Sequence, residues 1–415
     1  MHRISSQFNN TETQYQLRRQ EVKQAAANRQ IGTQSRIGEL RDDPLAAGHL
    51  VRYESYLARV ERFEKNAIVL SDRLSVREGY VNQNLQIMQR VRELAVGAAN
   101  GTYTPDDLKA MAAETDELLK EMVQNANATG ADGNSLFAGN RLKTTAFDVE
   151  LGNVPGADEA LIERVVYKGD AGVNLTEVDE TAWLESSNCG SSTFWAEPQM
   201  MFGQRDLSSW QALEDALIKV DGIALQVSAG DNVFSVASKI NTSGAAVKAS
   251  VDPVTGGLNL ATTDSHQIWL EDAQGSTLAD MGLIMGGTHF PPNNIDSSTV
   301  KVTGGSLFDT VIALRDAMLK GDQETIGGRV LGSLDQGINN LTGRLAKIGS
   351  EYERAMINAE RSSANQLEAT RLVSREGDVD FTKAVMDLKM LEYVNQATMS
   401  NAGQMYSSTL LNYLR

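Results

Sequence analysis

A chain of 415 residues, 41% hydrophobic and only 6% aromatic, can bury a sizeable aliphatic core in more than one domain and does not have the composition of a disordered polymer. Its 38 basic and 54 acidic side chains leave a formal charge of −16, which disfavours nucleic acid or an anionic membrane surface as the main partner. A single cysteine, Cys189, rules out an internal disulfide.

Proline punctuates the chain at 44, 105, 155, 198, 253, 291 and 292, so both ends are free to form long helices. From Ile4 a four-and-three spacing runs through Phe8, Thr11, Tyr15, Arg18, Val22 and Ala25, a heptad seam with two weak members. The first thirty residues hold no apolar run long enough for a secretory signal, and no stretch approaches a membrane span. A conventional reading is cytoplasmic, with export by a route that cleaves nothing left open. Asp42-Asp43 before Pro44 reads as helix-start chemistry. A second helix is expected from about Leu45 to Ala98, on the order of 80 Å long at 1.5 Å per residue. Thr104-Pro105-Asp106-Asp107 is an N-cap followed by proline and acids, opening a helix through about Ala128.

After Gly139 the text changes. Residues 162–167, 247–251, 258–260 and 267–270 alternate as strands do, separated by turn residues, and Val251 to Leu258 resembles a hairpin connection. Residues 141–305 contain 9 basic and 22 acidic side chains, a net −13, so the two ends are nearly neutral and can approach copies of themselves. Ser350 to Glu376 lacks both Gly and Pro and is expected to be one long helix. The last segment repeats the helical period through Phe381, Val385, Leu388, Leu391, Val394, either Ala397 or Thr398, Met405 and Leu411. The plan is mainly α with a β-rich insert, and the N- and C-terminal halves must pair across a long sequence gap.

Motifs for chemistry are missing. His2, His49, His266 and His289 stand far apart, with no HExxH, no CxxC and no calcium-loop spacing. Neither a Walker-type loop nor a strand-linked GxGxxG occurs, and there is no GxSxG elbow. Cys189 lies in Ser-Ser-Asn-Cys-Gly-Ser-Ser, a polar loop with no histidine nearby in sequence, and reads as an ordinary loop thiol. No cofactor, metal or catalytic residue is expected, and the chain does not read as an enzyme. The weak terminal seams have two readings: the termini pack on each other within one chain, or they await neighbouring subunits. The second is favoured, because Thr11 and Arg18 leave little apolar area to offset an ordering entropy of about 1–2 kcal/mol per residue.

Residues 90–102, Arg-Val-Arg-Glu-Leu-Ala-Val-Gly-Ala-Ala-Asn-Gly-Thr, are similar to the RxRELAxxAANGT segment of the flagellin superfamily. Arg41-Asp42-Asp43-Pro44, Ser135 to Gly139, Ile240-Asn241 and Val247 to Asp252 resemble further elements of that superfamily, across nearly the whole chain. Met1 to Ser5, Leu307 to Ala317 and Ser407 to Arg415 resemble its hook–filament junction branch, with filament-forming flagellins and the first hook-associated protein as alternatives.

The resemblance implies a structural, non-enzymatic part of an exported bacterial flagellum, external or periplasmic, on which flagellin polymerises. It implies a long antiparallel helical rod or coiled coil made by the two ends, with the central β domain projecting outward. The expected boundaries are a terminal coiled-coil domain of 1–44 with 371–415, disordered in the monomer, a helical core of 45–140 with 306–370, and an acidic outer domain of 141–305. The implied partners are further copies in a ring, the first hook-associated protein on the hook side, flagellin on the filament side and an export chaperone, with neither nucleic acid nor membrane insertion. Folding coupled to assembly then points to Ile4, Phe8, Tyr15, Val22, Phe381, Val385, Leu388, Leu391 and Leu411 as interface positions.

Overall fold

The computed structural model describes residues 2–413 apart from 158, 188 and 287–289, and the side chains of residues 1–10, 13, 402 and 404–415 also lie outside the described set. The architecture is helical at both ends with small sheets between: α1 (His2–Thr33), α2 (Pro44–Ala99) and α3 (Pro105–Ala126) precede a strand-rich middle, and α7 (Leu307–Lys320), α8 (Gln323–Thr325), a π turn (Ile326–Val330), α9 (Leu331–Gly377) and α10 (Phe381–Tyr413) follow it. The middle holds β1 (Phe147–Gly152), β2 (Leu161–Tyr167), β3 (Leu175–Asp179), β4 (Ala182–Glu185), α4 (Gly190–Thr193), β5 (Met200–Gly203), β6 (Ala216–Val220), β7 (Ile223–Val227), α5 (Val233–Thr242), β8 (Val247–Val251), β9 (Leu258–Thr262), β10 (Leu270–Gln274), α6 (Thr277–Asp280) and β11 (Val300–Thr303). The chain divides into two compact units, Met1–Lys65 with Ala359–Arg415, and Asn66–Asn358.

In the first unit α1 and α10 run antiparallel, since Gln20 meets Thr398 while Gln24 meets Asn395. The loops that end α1 and α9 close on each other. Ser35 bridges Asp378, and the Val379 N–H bonds the carbonyl of Gln34, whose φ is 56°. Asp43 starts α2 as expected, accepting the Ala46 N–H at 3.1 Å, and that bond holds its carboxyl below the usual range. Asp42 instead ties the preceding turn, accepting the Gly38 and Glu39 N–H groups at 3.1 and 2.9 Å.

In the second unit the α2 residues Leu70, Leu74, Val81, Met88, Val91 and Ala95 are fully buried, as are Leu334, Leu341, Ile348 and Ala355 of α9, which recur every seven residues. Arg92, inside the flagellin-like segment, bonds Asp335 of α9 at 2.6 Å. Thr104 caps α3 through a reciprocal box with Asp107, and Ser306 does the same for α7 with Asp309. α3 packs on α7 around Arg315, which is wholly buried and bonds Asp116 at 2.8 Å.

The sheets are antiparallel and small: β1–β2, β3–β4, β10–β6–β7 and β11–β5–β9–β8. The turn expected between residues 251 and 258 joins β8 to β9. Phe147 and Phe194 stack edge-on at 5.5 Å, and Phe147 lies 5.0 Å from Phe308 of α7, so the strand-rich middle shares its core with the helices of its unit. A separate cluster of Ile218, Val220, Val236, Ile240, Leu258, Leu260 and Ile268 fills the space among β6, β7, α5, β8 and β9. Asn241, the penultimate residue of α5, donates to the Ala249 carbonyl at 2.8 Å and accepts its N–H at 2.9 Å, pinning the helix to β8.

Two expectations shift in detail. The strand placed at 267–270 begins at Leu270, because the Gln267 and Ile268 N–H groups are taken by the Ser191 carbonyl at 3.0 Å and the Gln199 side chain at 2.7 Å. The helix placed at 350–376 begins at Leu331, and its glycines at 332, 337, 343 and 349 lie inside it. At Gly337 a Cβ would meet Leu307 Cδ2 at 2.4 Å, so close packing accounts for that one.

Candidate assembly interface

The packed faces of α1 and α10 follow from burial. On α1, Leu17, Gln20, Gln24, Ala27 and Ile31 are half-buried at a three-and-four spacing, and on α10 Ala384, Leu388, Leu391, Asn395 and Thr398 are covered at the same rhythm. These two stripes meet through hydrogen bonds: Gln20 Nε2 donates to Thr398 Oγ1 at 3.2 Å, and Asn395 Nδ2 donates to Gln24 Oε1 at 3.3 Å. The contact is semipolar, and it uses a different stripe of α1 from the one the sequence pattern singled out.

Tyr15 and Val22 are 62% and 69% exposed, and Phe381 is 57% exposed. Val385, Leu388 and Leu391 are half-buried, the latter two on the stripe facing α1. The side chains of Ile4, Phe8 and Leu411 lie outside the described residues. The sequence reading did not single out Met386, Met390, Tyr393 and Met399, all of them exposed. Their mutual spacing of three to six was the available signal. Each helix thus has one stripe in contact and a second, apolar one in water.

The strand-rich unit offers a cavity of about 220 Å³ lined by Cys189, His266, Asp221, Asp264, Arg344 and Lys347. The fold brings Cys189 and His266 to one place although they are far apart in sequence. Their chemistry does not make a nucleophile. Burial pushes the thiol up to about 12, and the thiol rests 3.6 Å from the Gly172 carbonyl. Both nitrogens of His266 are engaged, Nε2 with Asp221 at 2.9 Å and Nδ1 with Asp264 at 2.9 Å. Burial lowers the affinity of this imidazole for a proton, but the two carboxylates together outweigh it and hold the pKa at about 9. A histidinium locked between two acids has no free lone pair to accept a proton. Among the described residues there is no group of three or more His, Cys, Asp or Glu side chains that could hold a metal, and no helix is long and apolar enough to cross a membrane.

Comparison with known proteins identifies two segments. Residues 4–141 match the bacterial flagellin N-terminal helical region, and residues 214–264 match the flagellin hook IN motif. Each of these two segments is similar to flagellin. The second is the β6–β7–α5–β8–β9 unit in which Asn241 pins α5 to β8. Flagellar hook-associated protein 3 of Escherichia coli (strain K12) is 28% identical over 136 residues, 33% of this chain and 43% of that protein. The match therefore spans less than half the length of that relative. Polar flagellin B/D of Vibrio parahaemolyticus is 24% identical over 327 residues, 79% of this chain and 76% of that protein. Among solved structures, hook associated protein-3 of Legionella pneumophila aligns over 78% of this chain and 97% of that chain, with a TM-score of 0.48 and 14% identity.

Proposed function

We propose that this protein is a structural subunit of the bacterial flagellum, an adaptor at the hook–filament junction on which flagellin polymerises. The observation that carries the reading is the terminal helix pair. α1 and α10 join through stripes of mixed polar and aliphatic residues and leave Tyr15, Val22, Phe381, Met386, Met390 and Tyr393 exposed, a surface suited to covering by neighbouring copies. Fully burying one such side chain contributes about 1.5–3 kcal/mol, so a few per subunit offset the cost of ordering the ends.

In the assembled ring the terminal helices form an antiparallel coiled-coil layer, with Ile4, Phe8, Tyr15, Val22, Phe381, Val385, Leu388, Leu391 and Leu411 among its interface positions. The acidic 141–305 region faces outward, the first hook-associated protein lies on one side, and flagellin adds on the other. The subunit reaches this place by flagellar export, attended by a chaperone, and performs no catalysis.

Deletion of the gene tests the reading. The expected result is hooks without filaments and flagellin released into the medium. A filament-forming flagellin is the second reading, favoured by the match to polar flagellin B/D over 79% of this chain. In that case the deleted strain has short or missing filaments, no flagellin in the medium, and this chain along the filament length of the parent. Normal filaments in the deletion strain overturn both.

A further inference from the structure

The second unit also holds a cavity of about 270 Å³, lined by residues of α2, of the 130–142 loop and of residues 174–187. Its aliphatic lining comes from Val69, Val76, Leu136 and Leu142. Two polar groups there lack partners. Arg77 is only 4% exposed, and its Nε and Nη1 make no hydrogen bond. The Ser135 hydroxyl is likewise buried and unbonded.

The acids close to Arg77 do not complete it. Asp132 accepts from Arg73 at 2.9 Å and from the Asn134 amide at 2.8 Å, and Glu351 lies 3.8 Å from Lys347. Burial first, then repulsion from Arg73, lowers the guanidinium to about 10 despite the attraction of Glu351 and Asp132. A guanidinium is a planar fork of donors whose natural complement is a pair of carboxylate oxygens. A buried donor left without an acceptor is costly, and a ligand that supplies one recovers that cost. Aliphatic walls favour a ligand with a short hydrocarbon stem over a fully hydrated ion. Asp72 and Asp132, which also line the cavity, balance Arg73 and Arg77 and so disfavour a dianion such as phosphate.

We propose that this cavity binds a carboxylate carried on a short aliphatic stem, with Arg77 and Ser135 holding the oxygens and Val69, Val76 and Leu142 covering the stem. Two sources supply that chemistry: a free short-chain acid, or a glutamate side chain on another protein chain.

The test titrates the full chain, at fixed ionic strength, with butyrate, N-acetylglutamate amide, inorganic phosphate and butylammonium, following the unfolding temperature and the heat of binding. Saturable binding of butyrate in the millimolar range, absent for butylammonium and at least tenfold weaker for phosphate, is expected. R77M weakens butyrate binding at least tenfold. L142D, at a half-exposed position on the lining, weakens it about fivefold by repulsion and keeps the interpretation open to refutation if R77M does not fold. Butyrate alone binding supports a free acid; both carboxylates binding supports a protein-borne glutamate. No saturable binding of either carboxylate overturns the proposal, as does an unchanged affinity in folded R77M or in L142D.

Discussion

Arg36 donates from Nε and Nη2 to the carbonyl oxygen of Glu376, at 3.1 and 2.8 Å, while its own N–H bonds the Gly377 carbonyl at 2.7 Å. The guanidinium and the backbone N–H of Arg36 thereby satisfy one carbonyl each at the C-terminal end of α9, where the helix leaves acceptors without internal partners. Because the loop after α1 supplies this arginine, the end of α9 and the end of α1 are tied at one level. Arg36→Ala is expected to cost about 1 kcal/mol, discounted because the side chain is 42% exposed. Hydrogen exchange at residues 377–379 should rise while exchange in the strand-rich unit stays unchanged. Equal loosening of both units would contradict the local role.

A buried ion pair sets a larger effect in the second unit. Arg315 is wholly buried and bonds Asp116 at 2.8 Å from one nitrogen and Asp316 at 2.8 Å from another. Removing Asp116 leaves Nη1 of this buried guanidinium without its acceptor while Asp316 still pairs with the other nitrogens, so Asp116→Ala is expected to destabilise by about 2 kcal/mol. A double variant, Asp116→Leu with Arg315→Met, should lose less than Asp116→Ala alone because no buried charge remains. Urea unfolding of the wild type, of Asp116→Leu and Arg315→Met alone, of Asp116→Ala and of the double variant measures this. A double variant as unstable as the sum of the singles would show that packing volume dominates.

Cap chemistry was legible in sequence because it is local. Thr104 and Asp107 are three residues apart, and both bonds of their box lie within that span. The proline positions and the acidic middle likewise marked where long helices give way to strands. The start of β10 was not legible, since Gln267 and Ile268 are held by Ser191 and Gln199, about seventy residues away in sequence. On α10 the joining stripe was partly legible, since Leu388 and Leu391 lie on the period read from sequence, but its partner on α1 was hidden for a different reason. Gln20 and Gln24 at its centre carry no hydrophobic signal, so the more apolar Tyr15 and Val22 drew the periodicity although they face water. The meeting of Cys189 with His266 had no sequence signal at all.

The His266 cluster gives the second unit a pH dependence on the alkaline side. The folded imidazole has a pKa of about 9, above its ordinary value of 6.5, so protonation favours the folded state. Its contribution is fully present below about pH 6.5 and is lost as pH rises through 9. At one pKa unit per 1.36 kcal/mol the upper bound is about 3 kcal/mol, shared with Asp221 and Asp264. His266→Gln is expected to flatten stability between pH 6.5 and 9.5, measured by denaturant midpoints at fixed salt. A wild-type midpoint that does not fall across that window would refute the assignment.

Glycines separate by what surrounds them. A Cβ at Gly257 would lie 1.9 Å from the Gly203 carbonyl oxygen, a backbone atom that cannot move aside without disturbing the β5–β9 pairing. Gly257→Ala is therefore expected to cost about 2–3 kcal/mol. At Gly343, inside α9, nothing lies within 4 Å, and alanine should stabilise by about 0.5–1 kcal/mol through helix propensity. Thermal unfolding of the two variants should shift in opposite directions, and a shift of the same sign would discredit the close contact.

The exposed and packed stripes of the terminal helices can be told apart by substitution. Tyr15, Val22 and Phe381 are in water in a single chain, so Tyr15→Ser, Val22→Ser and Phe381→Ser should leave monomer stability within about 0.5 kcal/mol. If neighbouring copies cover them, each loses up to about 1.5–3 kcal/mol per contact in the assembly, and the triple variant should not support filament growth. Gln20→Ala and Asn395→Ala act on the stripe that joins α1 to α10, so they should loosen that pair in the monomer. Motility and filament counts in a complemented deletion strain, set beside monomer hydrogen exchange, distinguish the two. Filaments of normal number from the triple variant would move the interface elsewhere, and strong destabilisation of its monomer would mean that the exposed stripe is already covered within one chain.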